Sequence, residues 1–504
     1  LIVRQFPLPK AKLGRKLVRR LSVGFAVLAL LILALRPAPA SALAPKHYTE
    51  LTFPALPEVQ IPKYNRFQLK NGMIVYLMED HELPLVSGTA LIRTGDRLEP
   101  GDQIGLAGLT GTVLRTGGTQ QRSADELNQL LEQRAASVET SIGSASGSAS
   151  FNALTEDLGD VFGLFAEVIR QPAFAPEKLD LAKTQTTGGI ARRNDSPDDI
   201  AGREFRRLLY GETSPYARIV EYATLDNISR DDVVKFYQTY FHPNHMILGI
   251  VGDFDSQKMR SLIQAKFGDW KPTKPISPTL PTVTQANQSG VFLVDQPQLT
   301  QSYVQVGHLG GQFNNPDYPA LTVMDGVLNG FGGRLFNQVR SRQGLAYSVY
   351  SAWSARHDYP GVFIAGGQTR SDATVPFIRS VFAEIERIRT TPISSAELAY
   401  AKDSVLNSFV FNFEDPAQTL GRLMRYEYYG YPADFIFRYQ QGVEATTVAD
   451  VQQVARTYLK PENIVTLVVG NAKAIAPPLT SLGPKVKVTP VDITIPEPQA
   501  TSRT

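Results

Sequence analysis

The strongest constraint on this 504-residue chain is that it repeats itself. YFHPNHMILGIVGDFD at 240–255 returns as YLKPENIVTLVVGNAK at 458–473. ISRDDVVKFYQTY (228–240) returns as TTVADVQQVARTY (446–458), at the same offset of 218. LFAEVI (164–169) answers VFAEIE (381–386), LDLAK (179–183) answers LAYAK (398–402), and NDSP (194–197) answers FEDP (413–416). Offsets between 217 and 219 over so long a span indicate an internal duplication. The period is too long for a solenoid and suits two domains of roughly 200 residues, each with its own core.

Each copy has the same coarse pattern. A strand pair opens the first, FQLKNGMIVYLMED with a turn at Asn71-Gly72, followed by LVSGTALIRTG. Helices follow at ADELNQLLEQRAA (124–136) and DVFGLFAEVIRQ (160–171), and a further helix leads through His242-Pro243 into MILGIVGD. That last run is apolar and β-branched throughout, as a buried strand requires. The mixture predicts an α+β fold, with each copy a mainly antiparallel sheet packed with helices. Proline-rich stretches mark the boundaries. They predict a lead-in segment at 45–65, a first domain at 66–270, a linker at 271–289, a second domain at 290–475 and a Pro-rich tail at 476–504.

The N-terminal residues read as a targeting segment. Basic residues from Lys10 to Arg20 precede the apolar run LSVGFAVLALLILAL (21–35), and Ala40 and Ala42 form an A-x-A site. This predicts a signal peptide over 1–44 and export to the periplasm or a similar lumen. The apolar run is shorter than the ~20 residues that span a bilayer, so no stable membrane span is expected after cleavage. Residues 1–44 hold eight basic residues and no acid, so the nominal charge of +3 becomes −5 without them. That charge gives no global reason to bind nucleic acid. The chain has no cysteine, which excludes disulfides, thiolate metal sites and cysteine nucleophiles.

Other catalytic patterns are missing too. No G-x-S-x-G elbow and no G-x-x-x-x-G-K-[ST] loop occurs, and LNGFGGRLF (328–336) and HLGGQF (308–313) lack the strand–glycine–helix context of a phosphate cradle. They read as tight turns and close packing. Of the six histidines only His242 and His245 have a ligand-like spacing. Their counterpart in the repeat, KPEN, has none, so a structural loop is expected.

LKNGMIVYLMEDHELPLVSGTALIRTGDRLEP followed by GLAGLTGTVLRTGGT, with GGRLFNQVRSRQGLAYSVYS in the second half, resembles the M16 (pitrilysin, or insulinase) metallopeptidase family over about residues 66–475. The resemblance implies two duplicated M16-type domains forming half of a clamshell. Active members carry H-x-x-E-H on the helix after the second strand, where two His bind zinc and the Glu activates water. Aligned through Gly105-Leu106-Ala107, those positions are Gly108, Gly111 and Thr112. The further Glu ligand falls near Thr186 or Thr187. None of these can replace an imidazole or carboxylate, so no metal and no catalytic residue is expected in this chain.

The second half keeps more. RLFNQVRSR reads as a helix with Leu335 and Val339 on one face, ended by Gly344 at a C′ position. LAYSVYSAW reads as a strand with Leu345, Tyr347, Val349 and Trp353 on one side. The reversal brings Arg340 close to Tyr347, and their spacing of seven matches the Arg/Tyr pair with which M16 enzymes hold the bound peptide. Arg334 and Arg342 are expected to be solvated or packing residues. The resemblance thus implies a non-catalytic, substrate-binding subunit with Arg340 and Tyr347. Its heterodimer partner would be an M16 subunit that carries H-x-x-E-H and the zinc. The alternative is a non-enzymatic scaffold or peptide-binding protein.

Overall fold

The structure is a computed structural model that describes residues 60–274 and 280–497. The signal peptide expected at 1–44 and most of the lead-in segment lie outside the described residues. Among the described residues no helix is long and apolar enough to cross a membrane.

The first domain holds β1 (Asn65–Gln68), β2 (Ile74–Glu79), β3 (Leu85–Ile92), β4 (Ser137–Ile142), β5 (Gly147–Leu154) and β6 (Met246–Gly252), in the sheet order β1-β2-β6-β3-β5-β4. Its helices are α1 (Leu106–Thr116), α2 (Ala124–Glu132), α3 (Leu158–Arg170), α4 (Pro176–Ala191), α5 (Pro197–Tyr210), α6 (Tyr222–Asp226), α7 (Arg230–Tyr240) and α8 (Ser256–Phe267). The Asn71-Gly72 turn joins β1 to β2, with Gly72 at φ +90°, a conformation glycine adopts without strain.

The second domain repeats the plan with β7 (Gly290–Asp295), β8 (Gln301–Leu309), β9 (Ala346–Ser354), β10 (Val362–Arg370), β11 (Val465–Gly470) and β12 (Val488–Pro490), in the order β12-β7-β11-β8-β10-β9. Its helices are α9 (Tyr318–Leu328), α10 (Thr374–Thr390), α11 (Ser395–Asn407), α12 (Pro416–Tyr429), α13 (Phe435–Ala445) and α14 (Val448–Tyr458). Each sheet is mixed but mainly antiparallel, the parallel pairs being β2 with β6 in the first and β7 with both β11 and β12 in the second. The chain is therefore an α+β protein of two duplicated sheet-and-helix domains.

The C-terminal stretch read as a tail is partly structural. β12 pairs with β7 and takes the place that β1 holds in the first sheet. Val491 N–H donates to Leu293 O at 2.8 Å, and Leu479 is buried. Prolines hide the alternation of VKVTPVDITI, yet an edge strand tolerates a proline whose missing N–H faces outward.

The two domains exchange helices. α5 of the first domain lays Ile200, Ala201, Phe205 and Leu209 on the second sheet, against Phe292, Val294, Val465 and Leu467. Its repeat counterpart α12 starts and ends 219 residues later and lays Leu420, Leu423 and Met424 on the first sheet, against Tyr76, Met78, Ile247 and Val251. Gly249 of β6 makes room, since a Cβ there would meet Met424 Sδ at 2.2 Å. Each sheet is thus covered on one face by its own helices and on the other by a borrowed one. This explains why β6 and β11 read as unbroken apolar runs: both are buried almost throughout.

Polar contacts across the junction add direction to this apolar burial. Arg66 and the Tyr76 hydroxyl both donate to Glu427, at 2.8–3.0 Å. Arg93 Nη1 donates to Tyr428 O at 2.6 Å, and Tyr428 OH donates to Ala145 O at 2.6 Å.

Candidate functional site

α1 is the helix on which the H-x-x-E-H positions fall. Gly105 precedes it at φ +108°, and no side chain of the cap residue bonds to the helix start. Glu99 does that work instead, accepting from Gly105 N–H at 3.0 Å and Ala107 N–H at 2.9 Å. Glu99 is 6% exposed, and burial pushes its carboxyl up to about 7 against the two N–H bonds that favour the charge. Leu106, Leu109, Val113 and Leu114 bury one face of α1.

The three degenerate positions have different surroundings. Gly108 and Thr112, four residues apart, are exposed on one face. Thr112 Oγ1 donates to Gly108 O at 3.0 Å, so its hydroxyl is spent on the helix itself. Gly111 is buried against the edge strand β4. A Cβ there would stand 2.5 Å from Ile142 N, and Thr140 Oγ1 donates to Gly111 O at 2.6 Å. α4 packs beside α1. On it, Thr186 Oγ1 donates to Ala182 O at 2.8 Å and Thr187 is exposed. The helices stand together, but the side chains offer hydroxyls and hydrogens where a zinc site offers imidazole and carboxylate. Among the described residues no three His, Cys, Asp or Glu side chains gather as a metal site would.

The HPNH loop is structural. His242 Nε2 meets Gln238 O at 2.8 Å and the buried His245 Nδ1 meets Tyr240 O at 3.2 Å, both on the turn that leads into β6.

Arg340 and Tyr347 do come together. The Arg340 guanidinium carbon lies 5.0 Å from the Tyr347 ring centre and 4.7 Å from that of Phe336. The expected helix is a π-helix over Phe336–Arg342, anchored by the buried Leu335 and Val339. Such wide turns concentrate at functional sites. Gly344 at φ +62° stops it, and Leu345 N–H donates to Val339 O at 3.0 Å.

Tyr347 departs from the expected alternation. β9 pairs Ser348 with Gln368 and Ala346 with Thr369, leaving Tyr347 as the extra residue of a β-bulge. The bulge re-aims the side chain. Tyr347 is 80% exposed, while Val349 and Trp353 pack on the core. Since β9 is the edge of its sheet, the tyrosine stands beside unpaired backbone groups.

Two aromatic neighbours carried no clear sequence signal. Phe331, between Gly330 and Gly332, is 80% exposed and meets Phe336 edge-on at 5.1 Å. The glycines are needed there: a Cβ on Gly332 would run into the Tyr400 ring at 2.4 Å, and Gly332 N–H donates to Tyr400 OH at 2.8 Å. Arg334, as expected of a packing residue, is buried, with Nε 2.6 Å from Glu397 Oε1. The result is a patch in which the exposed Phe331 and Tyr347 flank the half-buried Phe336 and Arg340 beside a free sheet edge.

Comparison with known proteins bears on the family and the fold. The sequence model for insulinase (peptidase family M16) matches residues 75–213, and that for the peptidase M16 inactive domain matches residues 227–405. An uncharacterised zinc protease of Mycobacterium bovis is 26% identical over 61% of this chain and 70% of its own length. A non-peptidase homologue of Helicobacter pylori is 23% identical over 78% of this chain and 91% of its own. The crystal structure of a peptidase M16 inactive domain from Pseudomonas fluorescens superposes with a TM-score of 0.72 at 23% identity, covering 81% of this chain and 98% of that one. The chain belongs to the M16 peptidase family.

Proposed function

We propose that this chain is a non-catalytic, substrate-binding subunit of a heteromeric M16 zinc endopeptidase, exported to the periplasm with a partner that carries H-x-x-E-H and the zinc. One contrast carries the reading. α1 is built and packed but holds Gly108, Gly111 and Thr112, whereas the bulge in β9 sets Tyr347 beside Arg340 in the open. The names of the Helicobacter relative and the Pseudomonas domain support loss of catalysis. The mycobacterial relative is called a zinc protease, so for this chain the reading is supported by the residues at the motif rather than by that name.

On this reading the substrate is an extended peptide or unfolded segment that adds to the β9 edge. Arg340 supplies a fork of cationic donors and Tyr347 a hydroxyl, both suited to peptide carbonyl oxygens. Next to a partner's zinc they would also stabilise charge developing on the carbonyl.

The test is reconstitution. The purified chain alone should bind no stoichiometric zinc and cleave no peptide, and activity should appear with the partner. Arg340→Ala/Tyr347→Phe should then lower kcat/KM by roughly 10- to 100-fold with assembly intact, the loss of one or two charge-assisted bonds. Turnover by the lone, chelator-treated chain overturns the proposal. Unchanged turnover in the variant transfers the chain to the scaffold reading.

A further inference from the structure

We propose that the cleft between the two domains, at the C-terminal ends of the exchanged helices α5 and α12, binds the carboxylate side chains of an acidic peptide segment. This rests on the peptide-binding reading above and names the substrate class. The cleft is a cavity of about 360 Å³ walled by Arg206 and Tyr210 of α5, Gln305 of β8, Arg356 and Asp358 between β9 and β10, and Tyr429 of α12.

Charge pairing around it is lopsided. On α5, Arg203 and Arg207 both pair with Glu204, at 2.7 and 2.8 Å. Arg206 and Arg356 are exposed and, among the described residues, have no carboxylate within salt-bridge distance. Arg425, the repeat counterpart of Arg206 at the offset of 219, stands on α12 in the same unpaired condition. The carboxylates nearby are already engaged. Asp358 is held by Arg97 Nη2 at 2.7 Å, with the Arg97 guanidinium over the rings of Tyr216 and Tyr359. Asp96, which feels Arg218, Arg97 and Arg206, accepts from Ser144 Oγ at 3.2 Å, and burial raises its carboxyl above the usual range. Burial, with Arg425 and Arg356 adding, depresses His357 to about 4, so the imidazole between these groups is neutral. The cleft therefore keeps uncompensated positive charge.

It also keeps an unfilled hydrogen bond. Arg97 Nη1, on the guanidinium that holds Asp358, is buried without a partner among the described residues. Guanidinia around one cavity match a carboxylate, which accepts bidentate bonds from arginine. The remaining wall is phenolic: Tyr210, Tyr216, Tyr359 and Tyr429 offer flat apolar surface to methylenes. α5 and α12 end here in C-termini, whose negative poles oppose any anion and oppose a doubly charged phosphate more than a singly charged carboxylate, so the arginines must outweigh them.

The experiment uses the full chain and two fluorescein-labelled extended peptides of one length, differing only in Glu against Gln, with binding read by anisotropy. The Glu peptide should bind at least about tenfold more tightly. Arg206→Gln/Arg356→Gln should erase that preference without changing affinity for the Gln peptide. Both arginines are exposed and unpaired, so the fold should survive, as a melting curve checks. If the double variant fails to fold, Arg356→Gln alone serves the same comparison. Equal affinities in the parent, or a preference that outlives the substitutions, overturns the acidic-segment site and leaves peptide binding standing. Failure of both peptides to bind overturns the peptide-binding reading itself. Stabilisation by inorganic phosphate through these arginines, without preference for the Glu peptide, makes it a small-anion site and also overturns the proposal.

Discussion

Gly108 and Gly111 provide a sharp test of why the catalytic helix is blank. Both sit inside α1, where glycine is about 1 kcal/mol worse than alanine. A Cβ on Gly108 meets nothing within 4 Å. Gly108→Ala should therefore stabilise the chain by about 0.5–1 kcal/mol and raise Tm by about 1–4 °C, the scale for a domain of this size. A Cβ on Gly111 would stand 2.5 Å from Ile142 N and 2.9 Å from Ser141 C, both backbone atoms of a sheet. Relief needs α1 to retreat by roughly 1 Å, which stretches the 2.6 Å bond from Thr140 Oγ1 to Gly111 O beyond useful length. Overpacking costs about 1–3 kcal/mol and the lost bond about 1, against a propensity gain of about 1. Gly111→Ala should thus destabilise by about 1–3 kcal/mol. The two variants make the same change to the unfolded chain, so their difference reports the folded state. Urea or thermal unfolding measures it. A Gly111→Ala protein as stable as Gly108→Ala would refute the claim that α1 is closed on β4. If the claim holds, writing His, Glu and His into 108, 111 and 112 costs stability through the Glu at 111, which requires the same retreat, and still lacks the further carboxylate ligand near Thr186 or Thr187.

Two further outcomes follow from buried polar groups. Glu99 has its carboxyl raised from 4.5 to about 7, so between those values the folded chain holds a proton that the unfolded chain has released. Its contribution to stability is then present below pH 4.5 and lost as pH rises through 7, by up to about 3 kcal/mol. Glu99→Gln should flatten that window in pH-resolved melting curves, and an unchanged slope would reject Glu99 as its source. At the domain junction, Arg66 is 43% exposed, so its ion pair with Glu427 is discounted for solvent screening. The Tyr76 hydroxyl belongs to a residue only 4% exposed and donates to the same carboxylate. Glu427→Ala should cost about 1–3 kcal/mol by stranding that hydroxyl, and adding Tyr76→Phe should recover most of it. Equal melting temperatures for the single and double variants would assign the loss to Arg66 instead.

How far the sequence reaches differs between elements. The repeat offset is visible in NDSP and FEDP, and the structure turns it into two helices that start and end 219 residues apart. That these helices are exchanged is not legible. An amphipathic period shows that a face is buried but not which sheet covers it. Only the unbroken apolar runs of β6 and β11 hint at cover on both sides. Spacing brings Arg340 to Tyr347, but a strict period of two puts Tyr347 on the core face with Val349. A single inserted residue reverses that, and nothing in LAYSVYSAW announces a bulge. Glu99 lies seven residues before the first residue of α1, outside any capping-box spacing, so only the folded loop reveals it as the cap. The cationic cleft is equally hidden, because Arg206 and Arg356 are 150 residues apart and meet only through helix exchange.

β4 and β9 hold equivalent places, each the outer strand of its sheet beyond β5 or β10. A duplicated chain starts with the same liability twice, since an outer strand presents unpaired backbone groups to any partner. The first domain brings α1 down on β4 through a glycine, ties Thr140 to the helix backbone and lets no catalytic side chain stand between them. The second domain leaves β9 open, bends it with a bulge and crowds the opening with Tyr347, Arg340, Phe336 and Phe331. Exposing that much aromatic surface is a liability for a solitary chain, and charged residues or proline would have blunted the edge at less risk. The asymmetry fits the division of labour between two subunits that we propose. On the proposed function, α1 closes on the edge that has no chemistry to serve, while the edge that would meet a peptide stays open. Substituting Tyr347 and Phe331 with serine should accordingly leave the fold intact and weaken peptide capture, whereas loosening Gly111 should weaken the fold and leave capture unchanged.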